Sequence, residues 1–187
     1  AGQSTASQGA NNTVTVRLVS TGILPQGSSI ALSGLTGVTI SGNMTAISTT
    51  PEGVFDGAAS WNSTSARLVA ILSYASIDPR VVYTITFNVT NPLVEQDPPP
   101  LTVEAIGLTI LPVLVTGDDD NGAPGRIAGF STRSIGQSSA SQASPNVLSI
   151  TLKSAAYLKI GTNVTVTGLV GAAGPTSGAV SLTGGTP

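Results

Sequence analysis

The chain has 187 residues, only 9% of them charged, and a formal net charge of −2 at pH 7. No basic face is available to neutralise phosphates, so nucleic acid is not an expected partner, and the same shortage argues against an anionic membrane surface. Neither Cys nor His occurs, which removes disulfides, Ser-His-Asp triads and the common zinc sites.

Residues 1–12 are small, polar and Gly-bearing and read as a connector. A strand follows, with Val14, Val16 and Leu18 facing one way and Thr13, Thr15 and Arg17 the other. Leu24-Pro25-Gln26-Gly27 is turn chemistry. Ile30 and Leu32 alternate with small residues in a second strand, and residues 38–40 supply a short third. Residues 41–65 read as a long loop anchored by Phe55 and Trp61, with one strand near residues 58–61.

Apolar density rises again over residues 67–74. Residues 81–90 give the cleanest strand, with Val81, Tyr83, Ile85, Phe87 and Val89 on one face and Asn88 among the polar residues of the other. Asn91-Pro92 closes it, and Asp97-Pro98-Pro99-Pro100 is a stiff bend. Residues 101–105 alternate once more, whereas residues 108–115 are apolar on both faces around Pro112. The longest apolar run, residues 108–116, falls far short of the roughly 20 residues of a membrane span. No leader is read at the amino terminus, and the first residue is Ala, which points to a processed or partial chain.

The opening stretch returns. Gly2-Gln3-Ser4-Thr5-Ala6-Ser7-Gln8 recurs as Gly136-Gln137-Ser138-Ser139-Ala140-Ser141-Gln142, 134 residues on and without a gap. Leu18, Ser20, Leu24 and Gly27 recur as Leu152, Ser154, Leu158 and Gly161, and Gly34-Leu35-Thr36-Gly37 as Gly168-Leu169-Val170-Gly171. The expected organisation is a connector over residues 1–12 and a β-sandwich repeat over residues 13–116. A linker with the repeated connector spans residues 117–146, and the first strands of the next, incomplete repeat occupy residues 147–187. No stretch sustains a 3.6-residue period, and β-branched residues dominate the alternating runs, so the fold class expected is all-β: an antiparallel immunoglobulin-like β-sandwich.

Five Asn-x-Ser/Thr sequons, at Asn11, Asn43, Asn62, Asn88 and Asn163, are candidate N-glycosylation sites. Ser and Thr make up about a quarter of the chain, so about two of its nine Asn would sit in sequons by chance. Pro98, Pro99 and Pro100 are candidates for hydroxylation and O-glycosylation, against the plain alternative of a rigid bend that stops an edge strand. Asp118, Asp119 and Asp120, followed by Asn121-Gly122, offer oxygens to Ca²⁺, although the alternate spacing of an EF-hand loop is missing and a solvated turn is the competing state. The two-faced apolar stretch, with Leu108, Ile110, Leu111, Val113, Leu114 and Val115, is expected to turn one face to the core and to have the other covered by a neighbouring domain, by the long loop or, in the sharper reading, by the next subunit. The acid pairs Glu52/Asp56 and Glu95/Asp97 lie in loops without a His or Lys partner nearby, so no catalytic residue is assigned and the chain is not expected to be an enzyme.

The order Val14-Thr15-Val16-Arg17-Leu18, Leu24-Pro25-Gln26-Gly27, Leu32-Ser33-Gly34-Leu35-Thr36-Gly37, Trp61 and Tyr83-Thr84-Ile85-Thr86-Phe87-Asn88-Val89-Thr90-Asn91-Pro92 resembles the tandem β-sandwich repeats of very large secreted proteins from algae and other aquatic protists. The resemblance spans nearly all of residues 13–106 and again residues 147–171. It implies secreted or cell-surface structural proteins, usually glycosylated, among them fibre-forming ones. It brings no catalytic residue with it, and the Asp cluster and the two-faced strand lie outside it.

The function expected is an extracellular structural glycoprotein whose units join identical subunits head to tail in a filament, with covalent N-glycans and no resident cofactor besides the candidate Ca²⁺. The alternative is an adhesin or carbohydrate-binding module that uses residues 41–65, with Trp61 and Phe55 as a sugar platform.

Overall fold

A computed structural model describes residues 1–107, 110–117, 122–158 and 160–171. Eleven strands occur among them: β1 (Gly2–Gln3), β2 (Asn11–Val19), β3 (Ser29–Ser33), β4 (Met44–Thr50), β5 (Ala58–Asn62), β6 (Arg67–Ile71), β7 (Val82–Thr90), β8 (Thr102–Ile106), β9 (Ile110–Leu114), β10 (Phe130–Gln137) and β11 (Leu148–Ser154). The chain is all-β and antiparallel. Nine strands form one curled sheet in the order β1-β2-β7-β4-β5-β6-β3-β8-β9, and β10 pairs with β11 in a small second sheet. Ala1–Tyr157 forms one compact unit and Leu158–Pro187 the other; the described residues of the latter contain turns and no strand.

The curl is made at β4, which changes partner along its length. Met44, Thr45 and Ala46 pair with β5, whereas residues 47–50 pair with β7. This brings the apolar faces of the two halves into one core. Val14, Val16, Tyr83, Ile85 and Phe87 come from β2 and β7, and Ile30, Leu32, Trp61 and Leu68 come from β3, β5 and β6. Alternation puts these side chains inward because successive residues of a strand point to opposite faces. Full burial of each large one contributes roughly 1.5–3 kcal/mol. The longest ladder, β2 against β7, runs unbroken from Asn11↔Thr90 to Val19↔Val82.

Three expectations need amendment. The stretch read as a long loop contains β4, and residues 38–40 form only an isolated bridge, Thr39↔Thr90. The segment read as linker contains the eight-residue β10. β9 is indeed a strand, but all five of its residues are exposed at the edge of the sheet.

The two hairpins that open on Gly-Gln share one register. Gly2 and Gln3 lie opposite Thr15 and Val14, and Gly136 and Gln137 lie opposite Ser149 and Leu148, each pair displaced by 134 residues. The polar turn inside the hairpin is copied as well. Ser4 N donates to Thr13 O and Ser138 N to Val147 O; Thr5 N donates to the Asn12 side chain and Ser139 N to that of Asn146. Gly9 at φ 64° is matched by Ala143 at φ 56°, and Gly27 and Gly34 at 87° and 95° by Gly161 and Gly168, both at 89°.

Candidate functional site

All five sequon asparagines are exposed. Asn11 opens β2, Asn62 closes β5, Asn43 immediately precedes β4, and Asn163 lies in the second compact unit. Asn88 sits on β7 between buried Phe87 and Val89, on the face that carries Thr84 and Thr86. Two sequons are interlocked across the β2–β7 ladder: Asn11 lies opposite Thr90, Thr13 lies opposite Asn88, and Thr13 Oγ1 donates to Asn88 Oδ1 at 2.9 Å. Sugars on Asn11 and Asn88 would therefore leave the same outer face one diagonal step apart.

The connector is not a free tether. Asn12, 2% exposed, gathers it: its Oδ1 accepts from Ser4 N, Ser4 Oγ and Thr5 N, and its Nδ2 donates to Gln3 Oε1 and to Asn91 Oδ1. Asn91, 3% exposed, donates in turn to the carbonyls of Thr5 and Ser7. The segment before β10 is fastened to this network. Ile127 and Gln96 exchange backbone hydrogen bonds, Ala128 N donates to Ala6 O, and the side chains of Gln3 and Gln8 donate to the carbonyls of Arg126 and Ala128. Ile127 is fully buried. Sequence reasoning missed this joint, because its members are the small polar residues that also make ordinary loops.

The open edges are apolar. On β9, Leu111 is 73% and Leu114 63% exposed, with Ile110, Val113 and half-buried Val115 alongside; Leu108 lies outside the described residues. The second copy repeats the residues of the first core but not their burial. Val14, Val16 and Leu24 are at most 4% exposed, while their counterparts Leu148, Ile150 and Leu158 are 37–41% exposed.

The remaining candidates are dispersed. Asp118, Asp119 and Asp120 lie outside the described residues, and among the described residues no group of three acidic or other ligating side chains is placed to hold a metal ion. Pro98 and Pro99 are half-buried and Pro100 is exposed. Glu52 and Asp56 are exposed in the β4–β5 loop, and Glu95 pairs with Arg133 at 3.2 Å. Phe55 and Trp61, 4% and 5% exposed, belong to the core. No described helix is long and apolar enough to cross a membrane. No protein-family model, curated protein or solved structure matches the chain.

Proposed function

We propose that this chain is an extracellular structural glycoprotein built from immunoglobulin-like β-sandwich units that follow one another in series and assemble into a filament, of the kind its sequence resembles. The observation that carries this reading is the second hairpin, which repeats the register, the polar turn and the core residues of the first at an offset of 134 residues while leaving those core residues exposed. Two or three strands bury too little surface to stand alone. Their apolar face is therefore completed by further strands, in the same chain or in an identical subunit, and a head-to-tail contact that does not close generates an open helix.

The sandwich reading is supported by the single core that the two halves of the curled sheet share, and by Tyr83 near the start of β7. Its hydroxyl accepts a hydrogen bond from Asp78 N, five residues upstream, as in the tyrosine corner of such folds. The glycan reading is supported by five exposed sequons on Thr- and Ser-rich surfaces. The carbohydrate-binding alternative loses its platform, since Phe55 and Trp61 are core residues.

Electron microscopy of the secreted material, paired with peptide mass spectrometry, tests this. Fibres with a regular axial repeat and sugar mass on most of Asn11, Asn43, Asn62, Asn88 and Asn163 are expected. Dispersed monomers carrying bare Asn peptides would overturn it.

A further inference from the structure

On the side of β2 that faces β1, the strand partners among the described residues are Gly2 and Gln3, opposite Thr15 and Val14. Residues 16–19 have no strand beside them on that side among the described residues. Ser4 N donates to Thr13 O, and hydrogen-bonded positions alternate along an antiparallel strand, so Arg17 and Val19 carry the next backbone groups directed to this edge. A row of unpaired amides and carbonyls is a template for another strand.

The second hairpin displays such a strand. β10 keeps the register of β1 but runs for eight residues, with Ile135, Ser134, Arg133 and Thr132 opposite Ile150, Thr151, Leu152 and Lys153. At an offset of 134 those partners are Val16, Arg17, Leu18 and Val19, the residues left without a neighbour on β2. An open groove runs beside this free edge. Leu18 and Leu24 line it from the β2 side, Ile30 and Val103 from β3 and β8, and Ile110 and Val113 from β9. Ala1 also lines it, with its amino group donating to Thr116 O at 2.7 Å, so the line of β1 continued backward enters the groove.

We propose that this groove is the seat of an extended strand of the residue 130–135 type, which pairs with Arg17 and Val19 and lies against the apolar wall made by β9. The proposal deepens the functional reading and rests on its premise that units follow one another, because the strand that opens a unit is then supplied by the joint before it. It also accounts for the exposure of β9: a strand apolar on both faces borders a groove that the described residues leave open.

The test uses the chain with the sequence of residues 130–134 fused directly before Ala1. It is compared with the chain as it stands and with a fusion carrying proline at its last added residue, the one that would pair with Arg17 and that proline deprives of its amide. Hydrogen–deuterium exchange, resolved at single amides by NMR, reads Arg17 and Val19. In the fusion both should exchange at least about tenfold more slowly, the melting temperature should rise, and the proline version should lose both effects. Unchanged exchange at Arg17 and Val19, equal protection with proline, or protection confined to β9 would overturn the proposal. The readout comes from single unglycosylated chains, so its failure leaves the filament reading standing, and failure to find fibres leaves the seat standing.

Discussion

Asn12 and Asn146 occupy equivalent positions with unequal surroundings. Each accepts from the Ser-Ser or Ser-Thr turn before it and donates to the Gln of its connector, but only Asn12 is buried and only Asn12 also reaches a second buried amide, Asn91. Removing a side chain that satisfies buried donors costs the desolvation of each group left behind. Asn12→Ala should therefore lose about 2–3 kcal/mol in urea unfolding, whereas exposed Asn146→Ala should lose less than about 1 kcal/mol. Equal losses would show that the network holds nothing together. None of this was legible beforehand, because a polar residue in a polar stretch carries no periodic signal of its burial. Strand phase did place Asn88 outward, since its apolar neighbours fix the face. Gly34 shows a similar division. Its recurrence as Gly168 was readable, but its φ of 95° and the Pro100 carbonyl lying where a Cβ would stand were not, while at Gly168 the same space is open.

Among the elements, the legible strands are those with one face in the core. β2 and β7 alternate because Val14, Val16, Tyr83, Ile85 and Phe87 must all enter the same interior. β4 and β10 escaped notice for the opposite reason. No residue of β4 is buried, since its role is to change partner between β5 and β7, and β10 is held by its ladder with β11. β9 was legible as unusual: apolarity on both faces suggested cover on both, and within this chain it is an exposed edge. An edge of this kind promotes association unless it is covered or charged. Leu111→Lys together with Leu114→Lys should lower self-association in analytical ultracentrifugation while changing unfolding free energy by no more than about 0.5 kcal/mol, as expected for exposed positions. A large loss of stability with unchanged association would place these side chains in the core instead.

At the scale of the whole molecule, the region read as a linker is a fastened joint. Ile127, Pro124 and Ala123 are buried, and the Gln96–Ile127 bridge and the Ala6–Ala128 hydrogen bond tie the chain leaving the large sheet to the connector that enters it. A fixed exit sets where the next hairpin starts, which a quasi-one-dimensional array requires. Ile127→Ala should cost about 2–4 kcal/mol locally and open residues 122–129 to limited proteolysis while β2 and β7 stay protected. Cleavage there at the wild-type rate would mean that the joint is already loose. Composition could not reveal this, because Gly, Ala, Ser and Gln serve a clamp and a tether equally well.

Units in series require the second hairpin to keep the register of the first, and cysteine cross-linking measures that register directly in a chain with no cysteine of its own. Ile135 and Ile150 are opposite and both exposed, at 58% and 41%, in a non-hydrogen-bonded pair whose Cα spacing of about 4.5 Å suits a disulfide. Ile135→Cys with Ile150→Cys should oxidise rapidly and nearly completely, and Ile135→Cys with Ser149→Cys or with Thr151→Cys should not. Preferred closure of either shifted pair would contradict the 134-residue correspondence and the series of units inferred from it.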